Sequence, residues 1–229
     1  MEVFDLMEYK TTICGKFCSR PNRFIALVEV NGTEQICHVK NTGRCRELLI
    51  PGTDVILSAA ENPARKTAFD LVAVKKGSRL INIDSQAPNQ AAAEFLPTLF
   101  PEGTIRPEFK IENSRLDFCI ETRDGPVYLE VKGVTLEEDG VVLFPDAPTQ
   151  RGTKHLHTLT RLAKGGHRAS VLFVIQMEEV SYFTPNRQTD PVFADALAEA
   201  ATAGVTLWAR DCHITNNTME IGNAVEIRL

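Results

Sequence analysis

The segment Asp117–Phe118–Cys119–Ile120 is followed, after a short turn, by Tyr128–Leu129–Glu130–Val131–Lys132. Two acids and a lysine therefore sit on neighbouring stretches of chain. Two carboxylates a few ångströms apart repel each other unless a cation lies between them. A hard divalent ion such as Mg2+ or Mn2+ suits that role, because it takes oxygen ligands and keeps several waters. A lysine beside such an ion stabilises charge that develops on a phosphate. The set suits metal-assisted hydrolysis of a phosphodiester, with Asp117 and Glu130 flanking the cation and Lys132 beside it to hold a water. Glu-x-Lys alone is an ordinary pairing on the solvent face of a strand. The acid-bearing segment before it gives the pattern its weight. Residues 88–95 read as helical and carry Glu94, a candidate further catalytic acid that also reads as an exposed helix glutamate.

The elements that must hold these side chains are legible as patterns. Leu116, Phe118 and Ile120 alternate with Asp117, Cys119 and Glu121, and Val127, Leu129 and Val131 alternate with Tyr128, Glu130 and Lys132. This period-two pattern predicts a β-hairpin. Asp124-Gly125 as a two-residue loop would set Asp117 opposite Lys132 and Cys119 opposite Glu130, with all four on one face. A three-residue loop would separate the two polar sets. Downstream, residues 149–164 read as a helix capped by Asp146 or Thr149. Leu156, Leu159, Leu162 and Ala163 form its apolar face. Arg151, Lys154, His155 and Thr158 fall on another face. Basic residues at a helix start oppose the helix dipole unless an anion is near, and a phosphate backbone is such an anion. A solvated polar face is the plainer alternative.

The 229 residues carry a net charge of −5, unevenly placed. Residues 10–84 hold 12 Lys and Arg against 7 Asp and Glu, whereas residues 85–229 hold 13 against 20. A basic front half suits phosphate contacts and an acidic back half suits a metal site. The front half reads as short strands over 24–30, 35–39, 55–59, 69–74 and 80–83, separated by turn signals such as Asn31-Gly32, Pro51-Gly52 and Asn62-Pro63. A helical piece is expected at 44–49. Five strands with an inserted helix are the OB-barrel pattern, whose face and loops bind single strands. Arg20, Arg23, Arg44, Arg46, Arg65 and Lys66 lie near strand ends and loops, where they would meet phosphate. Phe17, Phe24 and Phe69 are candidates for base stacking or for the core. The expected division is 1–85 and 86–229. In the second part helices alternate with strands, which predicts a mixed sheet flanked by helices. Residues 170–175 are nearly all apolar, as in a strand covered on both faces. No run approaches a membrane span and no secretory signal is apparent, so the cytoplasm is the expected location. The six cysteines are irregularly spaced. They lack paired Cys-x-x-Cys zinc ligands and are expected as reduced, small hydrophobes.

Asp117, Glu130-Val131-Lys132 and the preceding helix acid resemble the PD-(D/E)xK nuclease signature. The wider text is similar to the sugar fermentation stimulation protein A family. It includes Arg20-Pro21-Asn22-Arg23-Phe24, His38-Val39-Lys40-Asn41-Thr42-Gly43-Arg44, Ser114-Arg115-Leu116-Asp117-Phe118, Phe144-Pro145-Asp146-Ala147, Lys154-His155-Leu156 and Asp190-Pro191. The resemblance implies an α+β chain: an N-terminal OB-like β-barrel, then an α/β restriction-endonuclease-like domain. It also implies DNA binding without marked sequence preference and a link to the regulation of sugar, particularly maltose, catabolism. Position by position, it implies Asp117 and Glu130 as metal ligands and Lys132 as the catalytic lysine. Leu116 stands where the nuclease signature has proline, and Lys40 and Gly133 stand where relatives commonly have proline and asparagine. Arg151, Lys154 and His155 are expected against DNA. The activity stays open between a metal-dependent nuclease and a DNA-binding regulator that keeps the fold without turnover. A small-molecule sensor using the cleft between the domains is a weaker third option.

Overall fold

The computed structural model describes residues 7–41, 43–62, 64–111 and 113–229. Thr42 and Pro63, named above, lie outside them. Five strands build the first unit: β1 (Thr12–Asn22), β2 (Ile25–Val30), β3 (Thr33–Val39), β4 (Asp54–Ala59) and β5 (Phe69–Lys76). A sixth, β6 (Arg79–Asn82), extends it. Their order is β3-β2-β1-β4-β5-β6, and a parallel pairing of β3 with β5 closes the barrel. Phe17, Val28, Cys37, Val55, Leu57 and Leu71 fill its interior. Strand β1 escaped the sequence pattern because Phe17 is its one fully buried residue. Register shifts around Ser19 bend it between two partners. The helix expected at 44–49 is a single turn, closed by the Leu49 N–H on the Cys45 carbonyl at 2.9 Å. Pro51 follows too soon for a second turn.

The second unit runs α1 (Ala87–Leu99), β7 (Thr104–Ile111), β8 (Ser114–Thr122), β9 (Gly125–Val134), β10 (Leu136–Glu138), β11 (Val141–Phe144), α2 (Gln150–Lys164), β12 (Arg168–Ile175), β13 (Tyr182–Pro185), α3 (Pro191–Thr202), β14 (Thr206–Ile214), β15 (Met219–Ala224) and β16 (Glu226–Ile227). Its main sheet has the order β15-β14-β12-β9-β8-β7, with β9, β12 and β14 parallel and the remaining pairings antiparallel. Strand β12 lies at the centre and alternates its burial. Val171, Phe173 and Ile175 join the core under α2 and α3, while Leu172 and Val174 join the core under α1. Burial on both faces explains its unbroken apolar run. A small second sheet, β10-β11-β13-β16, flanks this body.

The two units are joined by buried polar contacts. Gln176 Nε2 donates to the Asn82 and Asp84 carbonyls at 2.9 and 3.2 Å. Lys76 and Arg79 of the β5–β6 hairpin grip the buried Glu137 carboxylate at 2.7 and 2.8 Å. Lys40 lies 3.2 Å from Asp84 and 3.5 Å from Asp70.

Candidate metal centre and nucleic-acid interface

The hairpin of β8 and β9 forms, but two positions away from the expected register. The observed pairs are Phe118–Leu129, Cys119–Tyr128, Ile120–Val127 and Thr122–Gly125. The loop residues are therefore Arg123 and Asp124. Gly125 closes the turn at φ 98°, a conformation that glycine adopts without steric penalty. Asp117 does not face Lys132, and Cys119 does not face Glu130. A shift of two keeps every side chain on its expected face, so the acids still meet. Beyond Phe118 the ladder ends. The Asp117 side chain then takes the Val131 N–H on Oδ2 at 2.8 Å, and its Oδ1 accepts from Asn89 Nδ2 of α1 at 3.0 Å. Helix α1 can start this close to β9 because residue 133 is glycine. A Cβ there would lie 2.7 Å from Pro88 Cγ and 2.5 Å from Gln176 Oε1.

Glu130 is 2% exposed. Lys132 Nζ donates to its Oε1, and His155 Nδ1 of α2 meets the same oxygen. Oε2 is buried, and no donor among the described residues reaches it. The two acids titrate apart. Burial and the Glu130 charge raise the Asp117 carboxyl above its usual range, against the pull of the Val131 N–H, Lys132 and Asn89. Burial acts to raise Glu130 too, but His155 and Lys132 outweigh it and hold the carboxyl below its usual range. A polarised carboxylate pair with one bare buried oxygen is a donor set that a hard cation would satisfy. Among the described residues no three His, Cys, Asp or Glu side chains gather as ligands. An ion here would thus rest on two carboxylates and waters, as magnesium commonly does.

Several expected roles change. Glu94 is not brought to the pair. It lies on the part of α1 that faces Met7 and Glu220, where burial and the Glu220 charge push its carboxyl up to about 7. Asn89 is the α1 residue that reaches Asp117. His155 is not an open cation: it lies at the floor of the α2 groove, 4% exposed, with Nδ1 against Glu130. Thr158 is buried as well, with its hydroxyl 2.9 Å from Ser114 Oγ. The face of α2 expected to be open is half covered by the start of β8. Arg20 is consumed by the fold, since its guanidinium donates to the carbonyls of Arg23, Asn41, Gly43 and Arg44 at 2.7–2.9 Å. Arg65 forms a two-pronged pair with Asp70 at 2.6 and 2.9 Å. Neither is available as a plain phosphate contact. Three of the four Arg20 partners lie in the stretch after β3, and the Arg65 partner lies in β5, so their place near loops gave no sign of these contacts.

The remaining cations stay open. Arg23, Arg44, Arg46 and Lys66 are exposed on the barrel. Arg20, Arg23, Arg44 and Arg46 line a concavity of about 310 Å3 with Asn22 and Leu49. Phe24 beside it is 52% exposed, whereas Phe17 is core and Phe69 half-buried. Arg151 and Lys154 are both exposed at the start of α2, and Lys154 Nζ donates to the Asn113 carbonyl at 2.7 Å. They border a groove of about 370 Å3 with Arg115 and His155. Thr149 is the N-cap of α2, its Oγ1 accepting from the Gly152 N–H at 3.1 Å. Asp190 ties the two helix starts together: Oδ1 takes the Phe193 N–H of α3 at 2.9 Å and Oδ2 takes the Thr149 N–H at 2.8 Å. Four cysteines are buried, Cys14 is exposed and Cys18 is intermediate. Among the described residues no helix is long and apolar enough to cross a membrane.

Residues 18–83 match the SfsA N-terminal OB domain, and residues 86–218 match the sugar fermentation stimulation protein RE domain. A sugar fermentation stimulation protein homolog of Desulfitobacterium hafniense strain Y51 is 51% identical over 225 residues, which cover 97% of this chain and 99% of that one. A homolog of Ruminiclostridium cellulolyticum is 50% identical over 226 residues, 97% of this chain and 100% of that one. The solved structure of Pyrococcus furiosus SfsA in complex with Ca2+ superposes with a TM-score of 0.88 at 29% identity, covering 99% of this chain and 100% of that one. With a closed five-stranded barrel, a mixed-sheet domain and this likeness along nearly its whole length, the chain belongs to the sugar fermentation stimulation protein family.

Proposed function

We propose that this chain binds DNA without marked sequence preference and hydrolyses phosphodiesters with a divalent cation held by Asp117 and Glu130. The observation that carries this reading is the buried Glu130 Oε2, which no donor among the described residues reaches, beside the half-buried Asp117 carboxyl. The Ca2+ in the Pyrococcus furiosus relative supports a hard-cation site in this fold. When bound, Mg2+ or Mn2+ supplies Lewis acidity at a phosphodiester and holds water close by. The chain's own side chains do the rest. Lys132 holds positive charge beside Glu130, where charge developing on phosphate would be stabilised. Arg151 and Lys154 hold the backbone at the mouth of the groove, and Arg23, Arg44, Arg46 and Lys66 hold it on the barrel. Few exposed aromatics accompany these cations, so backbone contacts dominate and sequence preference is weak. We place this activity in the cytoplasm and in the regulation of sugar catabolism, maltose in particular; the family name supports the link to sugar fermentation. A second reading, a DNA-binding regulator without turnover, draws support from Glu94, which stays away from the pair and leaves it without a third acid.

Single- and double-stranded DNA and RNA incubated with Mg2+ or Mn2+, against Asp117→Ala and Lys132→Ala, separate the two. Cleavage by the parent that both variants lose is the expected result. Cleavage unchanged in both would defeat the nuclease reading, and binding without cleavage under any metal would favour the regulator.

A further inference from the structure

We infer that His155 is a positioning residue, whose Nδ1–H fixes Glu130 Oε1 so that Oε2 is the oxygen presented to a divalent cation. This rests on the metal reading of Asp117 and Glu130 above. A glutamate has several rotatable bonds, so the direction of a buried carboxylate is set by what donates to it. Both donors to Glu130, Lys132 Nζ and His155 Nδ1, converge on one oxygen. Oε2 receives none from the described residues. The division of the carboxylate into a held oxygen and a presented one is therefore built from protein groups.

The two donors are unequal. Lys132 lies two residues away on the same strand, and its long, flexible stem leaves its side chain 15% exposed. It follows Glu130 and does not anchor it. His155 comes from a different element. Its ring is planar and nearly fully buried, and the helix carrying it is seated by Leu156 and Leu159 in the core. The Thr158–Ser114 bond lies one turn further on. A metal-binding carboxylate only accepts hydrogen bonds, so Nδ1 carries the proton in this contact. Partners that orient a ligand in this way are commonly worth 10–100-fold in metal affinity.

The test is calorimetric titration of the metal-free protein with Mn2+, with no activity readout. Parallel thermal melts without metal report folding. An asparagine side chain at this position would carry its amide nitrogen near the place of Nδ1, whereas a glutamine would carry it near Nε2. The substitutions His155→Asn and His155→Gln therefore separate the donor from bulk. His155→Ala and His155→Gln are expected to bind Mn2+ roughly 10–100-fold more weakly, and His155→Asn to stay within about threefold of the parent. Equal affinity in all three variants would overturn the inference and leave the metal reading standing. If His155→Ala does not fold, the pair His155→Asn and His155→Gln decides alone, and equal affinity in those two overturns it. A parent protein that takes up no Mn2+ would bring down the metal reading itself, and this inference with it.

Discussion

Asp70 in the barrel and Glu130 in the mixed-sheet domain are both almost fully buried, at 4% and 2% exposed. Their surroundings differ. Asp70 Oδ1 is met by Arg65 and His38, and Oδ2 by Arg65 and Lys40. Glu137, at the seam, is likewise covered on both oxygens, by Arg79 with the Gly140 N–H and by Lys76. Glu130 has one oxygen held twice and the other bare. Burying a charge is tolerable when it is fully paired, and such a charge serves the fold. A buried charge left half-paired, as Glu130 Oε2 and Glu94 Oε1 both are, has room for a water or an ion; Glu130 differs in having a second carboxylate beside it.

The sharpest way to break this comparison is at Asp117. Asp117→Asn keeps the shape and removes a charge that burial and Glu130 already disfavour. Cleavage is expected to fall by roughly 10^3-fold, the scale of removing a group that stabilises transition-state charge. Unfolding in urea should show stability unchanged or slightly raised. Asp70→Ala should do the reverse. It strands Arg65, while Lys40 keeps Asp84, and costs about 3 kcal/mol in the same urea experiment, while Mn2+ affinity of the folded protein is retained. Comparable stability losses in the two variants would erase the distinction.

A smaller effect sharpens the same division among the cations. Arg44→Glu combined with Arg46→Glu should weaken DNA binding about tenfold or more. It should also lower the slope of log affinity against log salt by about two, one for each lost phosphate contact. Arg20→Ala should instead lower the melting temperature, because it frees four backbone carbonyls. Fluorescence anisotropy across a salt series reads the first, and a thermal melt reads the second.

The smallest effect lies at Glu94. Its folded carboxyl titrates near 7, above the usual carboxylate range. The folded state therefore binds the proton more tightly than the unfolded chain. Stability contributed by the neutral form is complete below the ordinary carboxylate range and is lost as pH rises towards 7. Glu94→Gln removes that loss. It should stabilise the protein by about 1 kcal/mol at pH 8, a value discounted for the side chain's partial exposure, and by almost nothing near pH 4. Chemical denaturation at the two pH values checks the sign.

The sequence displayed the acid–acid–lysine set because alternation along two strands exposes which side chains share a face. That inference survives a slip of two positions, so the misjudged turn at Asp124-Gly125 did no harm to the pair. Strand β12 was legible because burial on both faces leaves an unbroken apolar run. His155 was not legible as a partner of Glu130. Helical periodicity assigns a residue to a face, but it does not say which strand that face covers. Arg20 and Arg65 misled for a similar reason, since an arginine near a loop looks alike whether it meets solvent or, as here, a set of loop carbonyls or a carboxylate on the next strand. Strand β1 carries too few buried residues to impose a pattern, and β13 is only four residues long.

Asp190 carries one last consequence. A single carboxylate there fastens the first turns of both α2 and α3. During vectorial synthesis Asp117, Glu130 and Lys132 leave the ribosome well ahead of it. The bond that fastens the first turn of α2 becomes available only after residue 190 has emerged. The capping of the helix that carries the imidazole is therefore completed later than the strands that carry the acids.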